Sequence, residues 1–599
     1  PGAAEAQANR FGVACDAAHF FPINGSSDNG VICVNHEFTT ENMLFPIGTS
    51  DPTFFSSGGE ALDAFYSSLT PEQQQEGVQV SLNAHGVTIV EIAKDDNGAW
   101  GVVRDSLFNR RLTAQTPMEF SGPLRGNRMV QAEMAPETGQ IGQDGTMVLG
   151  TLNNCAGGVT PWGTYLTCEE NFDQYFGFQN PGVAPIEATG DTQIARAINS
   201  VSAFGGNDGP SDRRWDVFGR EVDRRFDARV EQKEIVRFGY VVEVDPFDPN
   251  DVPTKRTAMG RFKHEGANSV LTADNRLAVY SGDDARLEFA YKFVTEGQVT
   301  PATTKADNLL DSGTIFAAKF NADGTGEWLA LTPGQNGLNE DSGFGSLADV
   351  ASATREAATL AGATIMDRPE DIEAHNGRVY IAMTKNADDL DDATARNADN
   401  VDAANPRIFN ANGHVIEIVE DGLDHGATTF TWEIFILAGD PMNSRFISNH
   451  GLMRRDSQLV GEGVVSGLAD ATTYFGGSSD PAAITPLGAP DNLTTDSRDN
   501  LWIVTDGNNF GNDGAYAAPT QGQNRGRVQQ FMSGPVDCEV CGAELTPDER
   551  TLFLNVQHPG NTQVENPSST WPDGERPDAD QFQDSNGNIQ PRGSLIAVR

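Results

Sequence analysis

Six times along the chain a β-rich apolar run closes in polar residues: Val31–Glu37, Tyr165–Asn171, Leu277–Asp283, Val379–Lys385, Leu501–Asp506 and Leu552–His558. Most copies follow a turn signal, such as Asp28-Asn29-Gly30, Asp274-Asn275, Asn376-Gly377, Arg498-Asp499-Asn500 or Pro547-Asp548-Glu549. Upstream of the turns stands a second polar element: Asn154 in the second copy, His264-Glu265 in the third, Glu370 in the fourth and Asp491-Asn492 in the fifth. Strand, tight turn and strand form an antiparallel hairpin, which returns the chain to the pole where it began. Asn154 is therefore expected beside Glu169 and Glu170, Glu265 beside Asp283, Glu370 beside Asn386, and Asp491 beside Asp506. Six such hairpins set radially make an all-β, six-bladed β-propeller whose central channel collects these groups. A β-sandwich of unrelated amphipathic hairpins is the alternative; it leaves the matching polar ends unexplained.

Most copies are spaced more widely than the ~40–50 residues of a bare blade, so the blades carry insertions. Polar stretches at 181–235 and 385–407 and a tail at 571–594 read as surface additions, and Asp584–Ile589, which lacks the glycine of a calcium loop, reads as a polar turn within that tail. Helix-like Gly59–Ser68 and Ser352–Ala363 are short and peripheral. With no long linker, residues 1–599 are read as a single propeller catalytic domain.

Forty-one basic residues against 85 acidic ones give a net charge of −44. Phosphate neutralisation on nucleic acid is excluded as a mode of binding, as is docking on an anionic membrane. No run approaches the ~18 apolar residues of a transmembrane helix. An anionic substrate would be repelled unless bound cations reversed the local field. The start at Pro1, with no apolar leader, reads as a mature or trimmed chain. Among the six cysteines, Cys15 with Cys33 and Cys538 with Cys541 are candidate structural bridges, the second pair also a candidate redox pair.

The chain contains neither G-x-x-x-x-G-K-[ST] nor G-x-S-x-G, so phosphate-cradling P-loop and serine-nucleophile chemistry are both excluded. His36-Glu37 and His264-Glu265 lack the second histidine of a zinc-protease helix. What remains is the rim. Glu37, Glu169, Glu170, Glu265, Glu370, Asp491 and Asp506 at one channel mouth would repel one another strongly. Hard cations resolve that, and Asn154 and Asn492 offer neutral oxygens to a calcium ion. Cys168, next to Glu169, is either a small buried hydrophobe or a thiolate better suited to iron than to calcium. Arg368-Pro369-Glu370 sets a guanidinium near a carboxylate, so that Glu370 binds metal while Arg368 forks onto an oxyanion; a surface ion pair is the plainer alternative.

The block Gly150–Asn171 resembles the PhoX-type alkaline phosphatases. The resemblance continues through Asn35-His36-Glu37, Lys263–Ala267, Asp367–Glu370, Pro490–Asn492 and Asn555–Gly560, in order along nearly the whole chain. It implies a six-bladed propeller, export to the periplasm or beyond, an oxo-bridged pair of ferric ions, and two or three calcium ions. By motif, Cys168, Glu265 and Glu370 are implied as iron ligands and Glu169 and Asp491 as calcium ligands. Asn154, Glu37, Glu170, Asn492 and Asp506 are implied less directly, and Arg368 is the implied phosphate contact. One departure is Gly122–Asn127, where small residues and a histidine usually follow the Gly-Pro.

The expected function is metal-dependent hydrolysis of small phosphate monoesters by a monomer, with inorganic phosphate released and no protein nucleophile needed. A calcium-only propeller hydrolase of lactonase or phytase type is one alternative, and a calcium-stabilised binding propeller is another.

Overall fold

The computed structural model describes the chain apart from residues 1, 40–43, 45–58, 133–141, 178–191, 200–208, 387–400, 408–409, 443–445, 449–450, 454–472, 479, 561–567 and 574–590. Parts of all three expected insertions, and the turn at 584–589, lie outside the described residues.

Each repeat is the second strand of a blade, and the strand before it is the innermost. The six inner strands are Cys15–Pro22, Asn154–Val159, His264–Leu271, Pro369–His375, Pro490–Thr495 and Val540–Leu545, each paired antiparallel with the strand that follows. Each inner strand packs on the next, and the last packs on the first, closing the ring of a β-propeller. The third and fourth blades join through their outer strands into one ten-stranded sheet, where Thr325–Ala330 pairs with Thr429–Leu437. The seam between these blades is tight near the channel: a Cβ on Gly282 would lie 1.9 Å from the Glu370 carbonyl oxygen, so only glycine fits.

All six inner hairpins share a bulge near the start of the inner strand. In the first, Cys15 pairs with His36 and Ala18 with Val34, so Asp16 and Ala17 oppose Asn35 alone. The same two-against-one shift falls at Cys155-Ala156, Gly266-Ala267, Glu370-Asp371, Asp491-Asn492 and Gly542-Ala543. A bulge interrupts the period-two alternation and re-aims side chains, here in all six blades at the same pole.

The region 209–237 is not the surface insertion the sequence suggested. Its charges turn inward in pairs: Arg225 forks onto Asp223 (Nη2 to Oδ2, 2.8 Å) and reaches Glu234 at 3.0 Å, while Trp215 and Phe226 are fully buried. The longest helix among the described residues, Pro71–Ala84, opens on a Thr70/Gln73 capping box and buries Val78 and Leu82 in the main core. All six cysteines are free thiols, so the expected bridges are absent. Cys33 faces His19 across the first hairpin while Cys15 faces His36, which separates the two along the strand. Cys541 turns to Glu539, and Cys538 sits in the apolar core of the last blades. No helix among the described residues is long and apolar enough to cross a membrane.

Candidate metal centre

The bulges deliver side chains from successive blades to one point. Four groupings have ligand atoms within 4.8 Å of one another: Asp16, Cys155 and Glu265; Asp16, Glu539 and Cys541; Glu37, Cys155 and Glu170; and Glu265, Glu370 and Asp491. They share members, so they form one continuous cluster across the channel mouth. Asp16, Cys155, Glu265, Glu370 and Asp491 come from the inner strands of the first five blades. Glu37 and Glu170 come from just beyond the second strands.

The cluster is buried and strongly acidic. Burial raises the Asp16 carboxyl to about 6, against hydrogen bonds from Cys541, Cys155 and Gln557. Burial, then repulsion from neighbouring acids, pushes Glu37, Glu170, Glu265, Glu370, Asp491 and Glu539 well above the usual carboxylate range. Gln557 bridges two of the acids, its Nε2 donating to Asp16 Oδ2 at 2.7 Å and to Glu37 Oε2 at 2.8 Å. Asp16 Oδ1, Glu265 Oε2 and Gln557 Oε1 are buried with no hydrogen-bond partner. Unpaired buried oxygens cost several kcal/mol, of order ~2–7 in apolar surroundings, and a cation is the partner that would satisfy this set. The donors therefore fit a metal cluster of mixed oxygen and sulfur ligation.

Arg368 stands over this cluster. Its Nε and Nη2 grip Asp284 at 2.7 and 2.6 Å, and Nη2 also reaches Glu370 Oε1 at 2.9 Å. Burial alone would raise the Asp284 carboxyl, but the Arg368 charge and hydrogen bonds hold it below the usual range. The Arg368 backbone is left-handed at φ 55°, a strained state for a non-glycine residue and one displaced from the extended region favoured before proline. A fifth of the Arg368 side chain is exposed, against 6% for Asp284 and 3% for Glu370, so of the three it is the side chain that solvent reaches.

The cluster includes Glu37, Glu170, Glu265, Glu370 and Asp491 from the sequence-derived candidates, and half-buried Asp506 lies close enough to act electrostatically on Glu37 and Arg368. Asn492 borders it, Nδ2 donating to Glu265 Oε1 at 3.1 Å and Oδ1 accepting from the Gly542 amide at 2.8 Å. Asn154 keeps a buried, unpaired Oδ1 while its Nδ2 is held by Thr151 and Thr167.

Two candidates lie elsewhere. Cys168 is on the second strand, opposite the Cys155-Ala156 bulge, and is fully buried in the main apolar core; burial raises its thiol well above the usual range. Glu169 is consumed by a buried ion pair with Lys255 at 2.7 Å and by the Gly239 and Tyr240 amides at 3.0 and 3.2 Å. Of the hairpin neighbours, Asp283 is likewise taken up by Arg355, and Asn386 donates to Asp367. The thiols among the acids are instead Cys155 and Cys541, and Cys155 lies in two of the groupings. Asp16, Asp284, Glu539, Cys541 and Gln557 were also missed. Asp16 stands upstream of the Asp28 turn, as Glu265, Glu370 and Asp491 stand upstream of theirs, though farther from it, so extending the search for an upstream polar residue to the first copy finds it.

Over residues 2–560 the chain matches the family described as alkaline phosphatase PhoX. A Pseudomonas fluorescens PhoX, solved in complex with vanadate, a transition state analogue, is 34% identical with a TM-score of 0.77, the alignment covering 99% of this chain and 90% of that one. An aldose sugar dehydrogenase from Streptomyces coelicolor in its PQQ-bound form, 9% identical at a TM-score of 0.19 over 54% of this chain and 83% of that one, is too dissimilar to inform fold or site. No curated protein sequence matches. The fold, the acidic channel mouth and these matches converge, and the chain belongs to the PhoX family of alkaline phosphatases.

Proposed function

We propose that this phosphatase hydrolyses small phosphate monoesters at a mixed iron and calcium cluster held by the channel-mouth acids. The observation that carries the reading is Cys155 among those acids, with Asp16 Oδ1 and Glu265 Oε2 buried and unpaired beside it. A thiolate favours iron over calcium, whereas an irregular shell of carboxylate and amide oxygens suits calcium. Cys155, Asp16, Glu265 and Glu370 are the residues we assign to ferric iron. Glu37, Glu170, Asp491 and, at the border, Asn492 and Asp506 are those we assign to calcium. Bound there, the metals supply Lewis-acid charge that offsets the phosphate dianion and eases attack by water-derived oxygen.

The chain's own part is binding and orientation. Arg368 donates to equatorial phosphoryl oxygens, where charge redistributes in the transition state. Asp284 fixes the plane of the guanidinium through Nε and Nη2, leaving Nη1 for the substrate. Glu370 ties that arginine to the metal ligands, and Thr384 Oγ1 orients Glu370 by donating to it at 2.6 Å. The surrounding acids exclude free anions that bring no cation. An exported location, in the periplasm or outside the cell, suits a surface of net charge −44, which tolerates abundant divalent cations.

Elemental analysis of purified protein, paired with a p-nitrophenyl phosphate assay before and after chelation, tests this reading. Iron and calcium in fixed ratio, with activity lost on their removal, are expected. Full activity in metal-free protein would overturn the metal assignment.

A further inference from the structure

Among the described residues the sixth blade is one strand short. It holds Val540–Leu545, Leu552–Val556 and Ser594–Val598, while every other blade has at least four strands, and Ser594–Val598 pairs only with Leu552–Val556. Among the described residues its outer edge is therefore free, and free edges are templates for another strand. Beside it, between the sixth and first blades, lies a cleft of about 1210 Å³. That exceeds the ~300–1,000 Å³ of small-molecule pockets and suits a length of polypeptide.

The two walls differ in kind. From the first blade only alternate residues reach the cleft, Ile32 and Val34 on one strand and Thr88, Val90 and Ile92 on the next, so that wall is a sheet face. From the sixth blade Phe553 of the second strand lines it together with the unbroken run 592–597, so the outer strand presents its edge there as well as its face.

Its charge runs against the rest of the molecule. In a chain with 85 acidic and 41 basic residues, the cleft is lined by six arginines and by no Asp or Glu among the described residues. Arg110 and Arg111 are anchored to carbonyl oxygens of Asp245, Asn83 and His85, with no carboxylate partner, and the Nε of each is buried and unpaired. Burial, with no neighbouring acid to offset it, lowers the Arg111 guanidinium to about 9. Arg592 is neutralised by Asp573 (Nε to Oδ2, 2.8 Å), and Asp245, Asp248 and Asp251 act on Arg110, but among the described residues no Asp or Glu side chain lines the cleft itself. A cationic wall beside an apolar face and a free edge calls for an anionic occupant able to hydrogen-bond as a strand.

We propose that this cleft binds an extended acidic peptide segment of a partner protein by strand addition to the free edge of Ser594–Val598. Main-chain hydrogen bonds to that edge supply affinity, while alternate side chains meet the apolar face and the arginines and supply specificity.

The test uses a fluorescein-labelled peptide of about six residues alternating Asp and Val, the length of an ordinary strand, titrated into the full chain by fluorescence anisotropy. Saturable binding that weakens with salt is expected. Arg10→Glu combined with Arg104→Glu should weaken it at least ~10-fold, since like charges now face the peptide, with melting temperature and phosphatase activity unchanged. A version N-methylated at alternate amides keeps its charge but loses the edge hydrogen bonds, and should not bind. Equal binding of the N-methylated peptide, or displacement of the parent peptide by linear polyphosphate, would show a general polyanion site and overturn strand addition. No binding at low salt would overturn it as well.

Discussion

Arg368 and Asp284 form a two-pronged ion pair at the channel mouth, Nε to Oδ1 at 2.7 Å and Nη2 to Oδ2 at 2.6 Å. The pair joins the fourth blade to the third and holds a guanidinium whose own backbone is strained. Arg368→Ala should lower kcat/KM by about 10²–10³, the worth of an oxyanion donor, without changing metal content. Lysine should rescue only in part, because an ammonium lacks the planar fork. Asp284→Asn should fall between wild type and Arg368→Ala. Steady-state kinetics with metal content verified decide the matter, and a loss under threefold in Arg368→Ala would remove the arginine from the phosphate.

Glu169 and Lys255 make a different prediction. Both are fully buried, and the Lys255 ammonium also lies 3.9 Å from the centre of the Phe238 ring. Removing one partner strands the other charge, so Lys255→Met should cost about 3–5 kcal/mol of stability, as broken buried pairs do. Metal content should stay at the wild-type level in the protein that folds. Loss of calcium, rather than of stability, would return Glu169 to the metal centre.

Chelation should both inactivate and destabilise the protein. The native state loses the linkage contribution of its bound ions, about 2.7 kcal/mol per site when free ion stands at 100 times its dissociation constant, and acids crowded within 4.8 Å then face one another bare. A differential scan in excess chelator should show a clear fall in melting temperature. An unchanged midpoint would mean the cluster is held by protons alone.

The blade repeat was legible because period-two strands and tight turns are local, and six copies reinforce one another. The rim acids followed from the hairpin geometry. What stayed hidden were features of packing. Cys155 and Cys168 both sit in the highly specific stretch from Gly150 to Asn171, and adjacency to Glu169-Glu170 favoured Cys168. The bulge at Cys155-Ala156 reverses that choice, and a single inserted residue in a strand leaves no mark in composition. Glu169 went the same way: Lys255, far off in sequence, claims it. Asp284 lay one residue past the third repeat, but its role appears only once Arg368 crosses the seam to meet it.

The pH dependence of stability should carry a signature from His85. Its ring is fully buried, with Nδ1 at 2.7 Å from the Ser81 carbonyl oxygen, Nε2 at 3.0 Å from the Tyr175 hydroxyl, and Trp215 edge-on. Burial, aided by Arg213 and Arg111 against the Ser81 carbonyl, lowers its pKa from 6.5 to about 3. Between those values the unfolded chain binds the extra proton, so stability is retained above about pH 6.5 and falls as pH drops toward 3, by up to ~1.4 kcal/mol per pH unit from this group. Urea unfolding of wild type and His85→Gln at several pH values isolates the contribution. A constant difference between the two proteins from pH 7 to 4.5 would contradict a buried neutral imidazole.

The two cysteines of the second blade provide the sharpest discrimination. Cys155 lies in two of the four ligand groupings, with Asp16 and Glu265 on one side and Glu37 and Glu170 on the other. Its thiol pKa is raised by burial and then by the surrounding acids, so only a bound cation would favour the thiolate there. Cys168 lies in the apolar core with Tyr165 and Leu166, with no ligand grouping around it among the described residues. Cys155→Ser should therefore lose iron and activity together while the β-sheet signal persists. Cys168→Ser should keep both and instead lose about 1–3 kcal/mol of stability, the cost of burying a hydroxyl without a partner. Iron assays and thermal melts on the two purified variants read these outcomes independently. Iron lost from Cys168→Ser but retained by Cys155→Ser would reverse the assignment and, with it, the proposed placement of the metals on the inner strands.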